Sequence, residues 1–577
     1  MKSIRRREFL GAAAASSAAL LATHKASALY SSAQAADARI EILLNEPIGQ
    51  INPNIYGHFV EHLGGVVYDG IWVGEDSKVP NINGIRKELV DHMRRIKPGV
   101  IRWPGGCFAD SYNWRDGIGP RKDRPRRTNF WRDDRARGNE GYQKLDSGPQ
   151  KYEPNSFGTN EFMQFCKLSG AQPYFAANLR SLPAKDFYEW VEYCNAPAGR
   201  TTLSDMRAAA GDREPYNVEY WGIGNESWGC GGRFTAEEYS TEFRRFIAWA
   251  PRYGVNLKYI GAGPNGADIN WTRGFFNSMV TKGANQLNSL YGWALHFYAG
   301  TTGRGNPFEY TTDEWYELLA RSDRMESLIT QHWQVMGEYD PTHRVKLIVD
   351  EWGAWHAQAG GLPDSHLFGY PGTLRDALIS GLTLDTFNRH ADKVVMANVA
   401  QLINTIHSLF VAYEDKFVAT PNFHVFEMYA AHQGGQSVRT QFSAPTLSFK
   451  RAAPNFPQGG QAQLSPQQRA QLQAAQQNPN GTMWGLQGSA SVNGKTLTLT
   501  VVNPHATETR ETDVAVRGAK VVSGQSTTLA ASDIHARNSF EQPRALLPTN
   551  GTMQVQNGAV TFRFPAASVT RLTLTLA

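Results

Sequence analysis

Cysteine is scarce in this chain: four in 577 residues, at positions 107, 166, 194 and 230. Four so widely spaced do not make a disulfide framework or a metal-ligand motif. Buried free thiols are the expectation for all four, although Cys107 and Cys230 each follow a predicted strand end and are placed to face one cleft. Net charge is scarce too. Of the formal +5, the first 28 residues hold +4, from Lys2, Arg5, Arg6, Arg7 and Lys25 against Glu8. The near-neutral remainder removes any electrostatic case for nucleic acid or an anionic membrane as partner. The basic run from Arg121 to Arg137 is interleaved with Asp123, Asp133 and Asp134 and reads as a solvated loop with local ion pairs. Long hydrophobic runs are missing as well, so no segment is expected to span a membrane. Aromatic side chains, by contrast, are plentiful, with 15 Trp and 22 Tyr; flat rings suit the C–H faces of sugars, but large cores use them equally.

The N-terminus reads as an address. Arg6-Arg7-Glu8-Phe9-Leu10 has the twin-arginine pattern, and Gly11–Ala22 is alanine-rich and too short to span comfortably. Small-residue cleavage sites occur at Ala26-Ser27-Ala28 and Ala33-Gln34-Ala35. The expectation is a signal peptide over 1–28, with cleavage as late as 35, and a periplasmic or secreted product free of the membrane. A retained N-terminal anchor is the competing reading.

A chain of this length exceeds one hydrophobic core. Candidate strands at Asn54–Val60, Gly99–Trp103, Gln172–Asn178, Val218–Gly224, Lys258–Gly263, Gly292–Phe297, Val345–Val349 and Lys393–Ala397 alternate with stretches of helical period. These include Asn83–Ile96, Thr159–Leu168, Ala236–Trp249 and Thr373–His390. The rhythm predicts a (β/α)8 TIM barrel over 50–410. A doubly wound sheet gives the same rhythm, but no Gly-rich nucleotide fingerprint follows the first strand. Beyond it the texture turns to short alternating strands, at Gly488–Val492, Thr496–Val502, Asp513–Val522, Val560–Phe564 and Val569–Leu576. With Arg39–Leu44, these predict a C-terminal β-sandwich built from 39–49 plus 411–577. The Pro-, Gln- and Ala-rich segment 452–482 reads as an exposed insertion, with a short helix conceivable over Ser465–Gln477.

Two glutamates end matching apolar runs: Glu226 after Tyr220-Trp221-Gly222-Ile223-Gly224-Asn225, and Glu351 after Val345-Lys346-Leu347-Ile348-Val349-Asp350. Strand ends are where an α/β barrel gathers its chemistry, and glycosidic cleavage needs two carboxyl groups. The bland alternative is that Asn225-Glu226 merely caps a helix.

Several segments then resemble the α-L-arabinofuranosidases of glycoside hydrolase family 51: Ile55 to Gly64, Arg102-Trp103-Pro104-Gly105-Gly106, Asn113 to Pro120, Gly224-Asn225-Glu226, Leu295-His296-Phe297-Tyr298, Asp350-Glu351-Trp352 and Met396 to Leu402. The resemblance runs in order from about Arg39 to the C-terminus, the insertion excepted. It implies a retaining hydrolase without cofactor or metal, with Glu226 as general acid/base and Glu351 as nucleophile. It also implies that Asn225 bonds the sugar 2-hydroxyl, that Tyr298 and Arg102 lie beside the nucleophile Glu351, that Glu61, Trp355 and Gln401 line a furanose pocket, and that His296 is among the substrate-binding residues. One departure stands out: Cys107 occupies the place where many members bind the sugar with Asn, and a thiol is a poor hydrogen-bond partner.

The function these readings favour is an exo-acting α-L-arabinofuranosidase on arabinoxylan, arabinan or arabino-oligosaccharides, with a homo-oligomer compatible. An endo-acting xylanase or β-glucanase on the same barrel is the alternative, as is a carbohydrate-binding protein on an inactive barrel, although binding alone has no need of the second carboxylate.

Overall fold

The computed structural model describes residues 37–132, 152–300, 305–363, 365–451, 479–553, 555 and 560–577. The twin-arginine segment, positions 133–137 of the basic run and the conceivable helix Ser465–Gln477 lie outside the described residues.

Eight parallel strands close into a ring in chain order: Gly57–Phe59, Val100–Trp103, Gln172–Ala177, Tyr220–Ile223, Lys258–Asn265, Leu290–Gly300, Lys346–Trp355 and Val394–Val399. The eighth pairs with the first, Asn398 opposite Gly57. Closure leaves no edge and decides for a barrel over an open sheet. The first strand is shorter than its sequence suggests because Pro53–Tyr56 forms a 3-10 turn, started by the Asn52 side chain accepting from Asn54 N–H.

Inside the ring, Val100, Tyr174, Tyr220, Ile260, Ala294, Ile348 and Met396 make one buried apolar layer. Strand side chains repeat with a period of two. Two residues farther along several of these strands stand Arg102, His296, Asp350 and Asn398, so the layer above is polar. That layer is the floor of the site.

The surrounding helices follow local rules. Ala236–Ile247 starts at a capping box formed by Thr235 and Glu238, carries Glu237 and Glu238 in its first turn and Arg244 and Arg245 in its last, and buries Tyr239, Phe243 and Phe246. Thr159–Ser169 and Leu374–Arg389 likewise match their expected spans within a residue. The helix expected over Asn83–Ile96 begins only at Lys87. The reason is local: Asn83 and Gly84 both take left-handed backbone (φ 49° and 86°) and turn the hairpin Asn81–Ile82/Ile85–Arg86.

The C-terminal region forms a nine-stranded sheet. Ala38–Gln50 lies within it, antiparallel to Gln436–Ser443 and parallel to Arg510–Arg517. Val521, from near one end of the strand order, shares a core with Phe564, from the other end, and with Ile40, Leu497, Leu572 and Leu574. The sheet therefore curls over its own core as a sandwich. The expected strand Asp513–Val522 is two strands, Arg510–Arg517 and Val521–Ala530, divided at Gly518, whose φ of 103° favours glycine. The end of the expected insertion is also structured: Asn480–Met483 pairs with Leu447–Lys450.

Candidate active site

The C-terminal ends of the barrel strands surround a cavity of about 700 Å³ lined by, among others, Glu61, Cys107, Trp131, Asn225, Glu226, Tyr298, Glu351, Trp355 and Gln401. Glu226 follows the fourth strand in left-handed backbone, φ 41°. Asn225 caps no helix; the next one starts at Ala236. The capping alternative is thereby excluded.

Glu351 arrives on the seventh strand through an irregularity. Leu295 pairs with Val349, but His296 pairs with Glu351, leaving Asp350 as an extra residue. Consecutive strand residues normally face opposite ways; a bulge re-aims them. Here both carboxylates reach one guanidinium: Arg102 Nη1 donates to Glu351 Oε1 at 3.0 Å, and Arg102 Nε lies 3.6 Å from Asp350 Oδ2. Arg102 Nη2 donates to Asn225 Oδ1 at 2.6 Å, and the guanidinium stands over the Phe59 ring at 4.7 Å. Asp350 also accepts from Tyr174 Oη at 2.8 Å and from Asn398 Nδ2 at 3.2 Å. Arg102 is thus fixed on every side, and through it so are Asn225 and Glu351.

The two glutamates differ in surroundings. Glu351, with 8% of its side chain exposed, accepts from Tyr298 Oη at 2.8 Å as well as from Arg102. Burial alone would raise its pKa. The charges of His296 and Arg102 and the hydrogen bonds from Tyr298 and Arg102 outweigh burial and hold it below the ordinary glutamate value. Glu226 is 21% exposed and its Oε1 lies 3.0 Å from His296 Nδ1. The same ring nitrogen is 3.5 Å from Glu351 Oε2. Burial pulls the His296 pKa down, but the charges of Glu351 and Glu226 and the hydrogen bond to Glu226 win, and it is raised. One carboxylate is clamped and kept anionic; the other is freer and closer to solvent.

Glu61 also lines the cavity. Its carboxylate accepts from Phe108 N–H and Trp131 Nε1, both at 2.9 Å, and from Gln401 Nε2 at 3.2 Å, while its own N–H donates to Gln401 Oε1 at 3.0 Å. Burial, then the Glu351 charge, push its pKa up to about 7. Trp355 packs edge-on against Tyr298 with centroids 5.3 Å apart. The Gly105-Gly106 pair is required by space: a Cβ on Gly105 would meet Glu61 Cγ at 2.5 Å, and one on Gly106 would meet Glu351 Oε1 at 2.8 Å.

Glu61, Arg102, Cys107, Asn225, Glu226, His296, Tyr298, Glu351, Trp355 and Gln401, all singled out from sequence, come together here. One expectation is overturned: Cys107 and Cys230 are not free thiols but a disulfide, with Cα atoms 5.6 Å apart. Only Cys166 and Cys194 are free, and both are buried. Sequence reasoning also passed over Asp350, Trp131 and Asp110. Asp350 was accessible through the period of two from Ile348; Trp131 and Asp110 sit in the short 3-10 turns Phe130–Arg132 and Ala109–Ser111, which carry no such signal. Asp110 accepts from Leu179 N–H, Arg180 N–H and Asn225 N–H at 2.8, 3.1 and 3.0 Å.

Residues 92–299 match the model of the α-L-arabinofuranosidase 1 domain, and 350–568 that of the α-L-arabinofuranosidase C-terminal domain. A curated relative from Bacteroides ovatus, named an intracellular exo-α-L-arabinofuranosidase, is 30% identical over 530 residues, covering 91% of this chain and 93% of the relative. The crystal structure of the family 51 arabinofuranosidase from Xanthomonas axonopodis pv. citri superposes with a TM-score of 0.81 at 31% identity, over 94% of this chain and 100% of that one. The arabinose complex of α-L-arabinofuranosidase from Thermotoga maritima gives 0.74 at 27% identity, over 93% and 100%. With matching fold, near-complete coverage and this constellation of carboxylates, the chain belongs to the α-L-arabinofuranosidases of glycoside hydrolase family 51.

Proposed function

We propose that the protein is a retaining, exo-acting enzyme that removes terminal non-reducing arabinofuranosyl residues from arabinoxylan, arabinan or arabino-oligosaccharides. The observation that carries the mechanism is spacing: one carboxylate oxygen of Glu226 and one of Glu351 lie within 4.8 Å. Direct displacement by water needs carboxyl groups about 6.5–9.5 Å apart, whereas a covalent route uses about 5–5.5 Å. In this reading Glu351, kept anionic by Arg102 and Tyr298, attacks the anomeric carbon. Glu226 protonates the departing oxygen, then takes a proton from the water that releases the sugar. Asn225, Glu61, Gln401 and Trp355 hold the furanose, and Cys107 contributes a sulfur wall rather than a hydrogen-bond donor.

A product profile on arabinoxylan and debranched arabinan tests the exo reading. Arabinose alone as product is the expected result; a ladder of oligosaccharides overturns it and favours endo action.

We further propose export through the twin-arginine route to the periplasm or beyond. Support comes from Arg6-Arg7 and from the Cys107–Cys230 disulfide, since disulfides persist in oxidising compartments and are rare in the cytosol. No helix among the described residues is long and apolar enough to cross a membrane. The Bacteroides relative carries an intracellular name, so the location of the mature protein is the point to measure.

A further inference from the structure

The disulfide abuts the general acid/base. Glu226 Oε2 lies 3.6 Å from Cys230 Sγ and 3.9 Å from Cys107 Sγ, and the three donor atoms lie within 4.8 Å of one another. A tetrahedral zinc-class cation with M–S bonds of about 2.3 Å and M–O bonds of about 2.0–2.2 Å places its sulfur and oxygen ligands about 3.5 Å apart and its two sulfurs about 3.7 Å apart. The sulfur–oxygen distances already approximate those edges; only the two sulfurs need to part. All three side chains are half-buried and line the cavity, so a cation has a way in.

The two loops stay together without the bond. Asp110, three residues after Cys107, holds Asn225 N–H at 3.0 Å. Arg180 donates to Cys230 O at 2.8 Å and to Asp110 O at 3.2 Å. Scission of the disulfide therefore leaves both cysteines beside Glu226.

We propose that reducing Cys107–Cys230 creates a binding site for a thiophilic divalent cation, held by the two sulfurs and Glu226 Oε2, with water in the fourth position. A phosphine reductant supplies the electrons: disulfide, phosphine and water give two thiols and phosphine oxide. The cation then displaces both thiol protons to form two metal–thiolate bonds. As the intact disulfide has no thiolate to offer, oxidation closes the site. A cation there occupies Glu226 and stops proton transfer, a consequence that rests on the catalytic reading above; the binding itself does not.

The experiment uses the full-length folded protein, treated with a water-soluble phosphine or left oxidised, then titrated with Co²⁺ under argon. The reduced protein is expected to bind one equivalent, with thiolate-to-cobalt charge-transfer absorption, and the oxidised protein none. Zn²⁺ is expected to lower the reduced enzyme's turnover of an aryl arabinofuranoside at least tenfold, reversibly by chelator. Reduced Cys230→Ser and Cys107→Ser variants are each expected to lose the charge-transfer absorption. No absorption in the reduced protein overturns the site, as does absorption that survives in either variant, which would assign it to Cys166 or Cys194. Cobalt bound with thiolate absorption but no zinc inhibition overturns Glu226 as a ligand. If the enzyme proves inactive on arabinofuranosides altogether, the function fails while the cobalt spectrum still decides the site.

Discussion

Replacing Tyr298 with Phe removes one oxygen and leaves the ring that packs on Trp355. The lost contact is the 2.8 Å hydrogen bond from Tyr298 Oη to Glu351 Oε2, in a site where Glu351 is only 8% exposed. Hydrogen bonds to charged groups contribute about 1.5–3 kcal/mol. Because this one favours the carboxylate over the acid, its loss raises the Glu351 pKa. The sign is fixed by the donor: hydrogen bonding to the charged form lowers a carboxyl pKa, so deletion moves it upward. Glu351 must be ionised to attack. The acid limb of kcat/KM for an aryl arabinofuranoside is therefore expected below the ordinary glutamate value of about 4.3 in the native enzyme, and at higher pH in Tyr298→Phe. On the plateau above both acid limbs Glu351 is the anion in either enzyme, so the rate ratio there reports lost positioning alone. A pH–rate profile from about pH 3 to 8 reads both effects. An acid limb that stays put, or moves down, refutes the claim that Tyr298 keeps the nucleophile ionised.

Gly106→Ala introduces a methyl that would stand 2.8 Å from Glu351 Oε1 and 3.2 Å from Phe59 Cζ; a displacement of about 1 Å at the reacting group costs about a hundredfold, so kcat/KM should fall at least that far while thermal denaturation changes little. Ile40→Ala hollows the sandwich core, where Ile40 is fully buried, and should cost about 2–5 kcal/mol in denaturant unfolding of that region; a smaller loss would contradict the placement of the N-terminal strand in the sheet. Lysine at both Arg6 and Arg7 should leave active precursor in the cytoplasm, since an address is lost and not a contact in the fold; undiminished export, followed by cell fractionation, would discard the twin-arginine proposal.

The barrel was legible because its strands are buried on both faces and read as short apolar runs, as in Tyr220–Ile223 and Lys346–Val349. The glutamates were legible because they terminate such runs. What stayed hidden depends on neighbours distant in sequence. The bulge at Asp350 exists only through pairing with Leu295 and His296, and it decides that Arg102 meets two carboxylates. Cys107 and Cys230 are 123 residues apart; that each follows a strand end points them to one cleft, but nothing local brings them to bonding distance, and Asp110 ties the two loops together from a 3-10 turn of three residues, Ala109–Ser111, too short to carry a periodic signal. Turn chemistry accounts for other differences. Asn83-Gly84 delays a helix and Gly518 splits a strand, each through left-handed backbone that outweighs the surrounding pattern.

The central claim, that Glu351 is the nucleophile and Glu226 the acid/base, is tested most directly by the anomer formed when azide rescues each alanine variant. An aryl leaving group needs little protonation, so Glu226→Ala should still form the glycosyl-enzyme, and azide, which needs no deprotonation, should release the sugar as the α-azide after two inversions. Glu351→Ala has no nucleophile and should yield, if any product, the inverted β-azide. Nuclear magnetic resonance of the azide products distinguishes the two. The account predicts α-azide from Glu226→Ala; β-azide from that variant, with α-azide from Glu351→Ala, would show that the two roles are reversed.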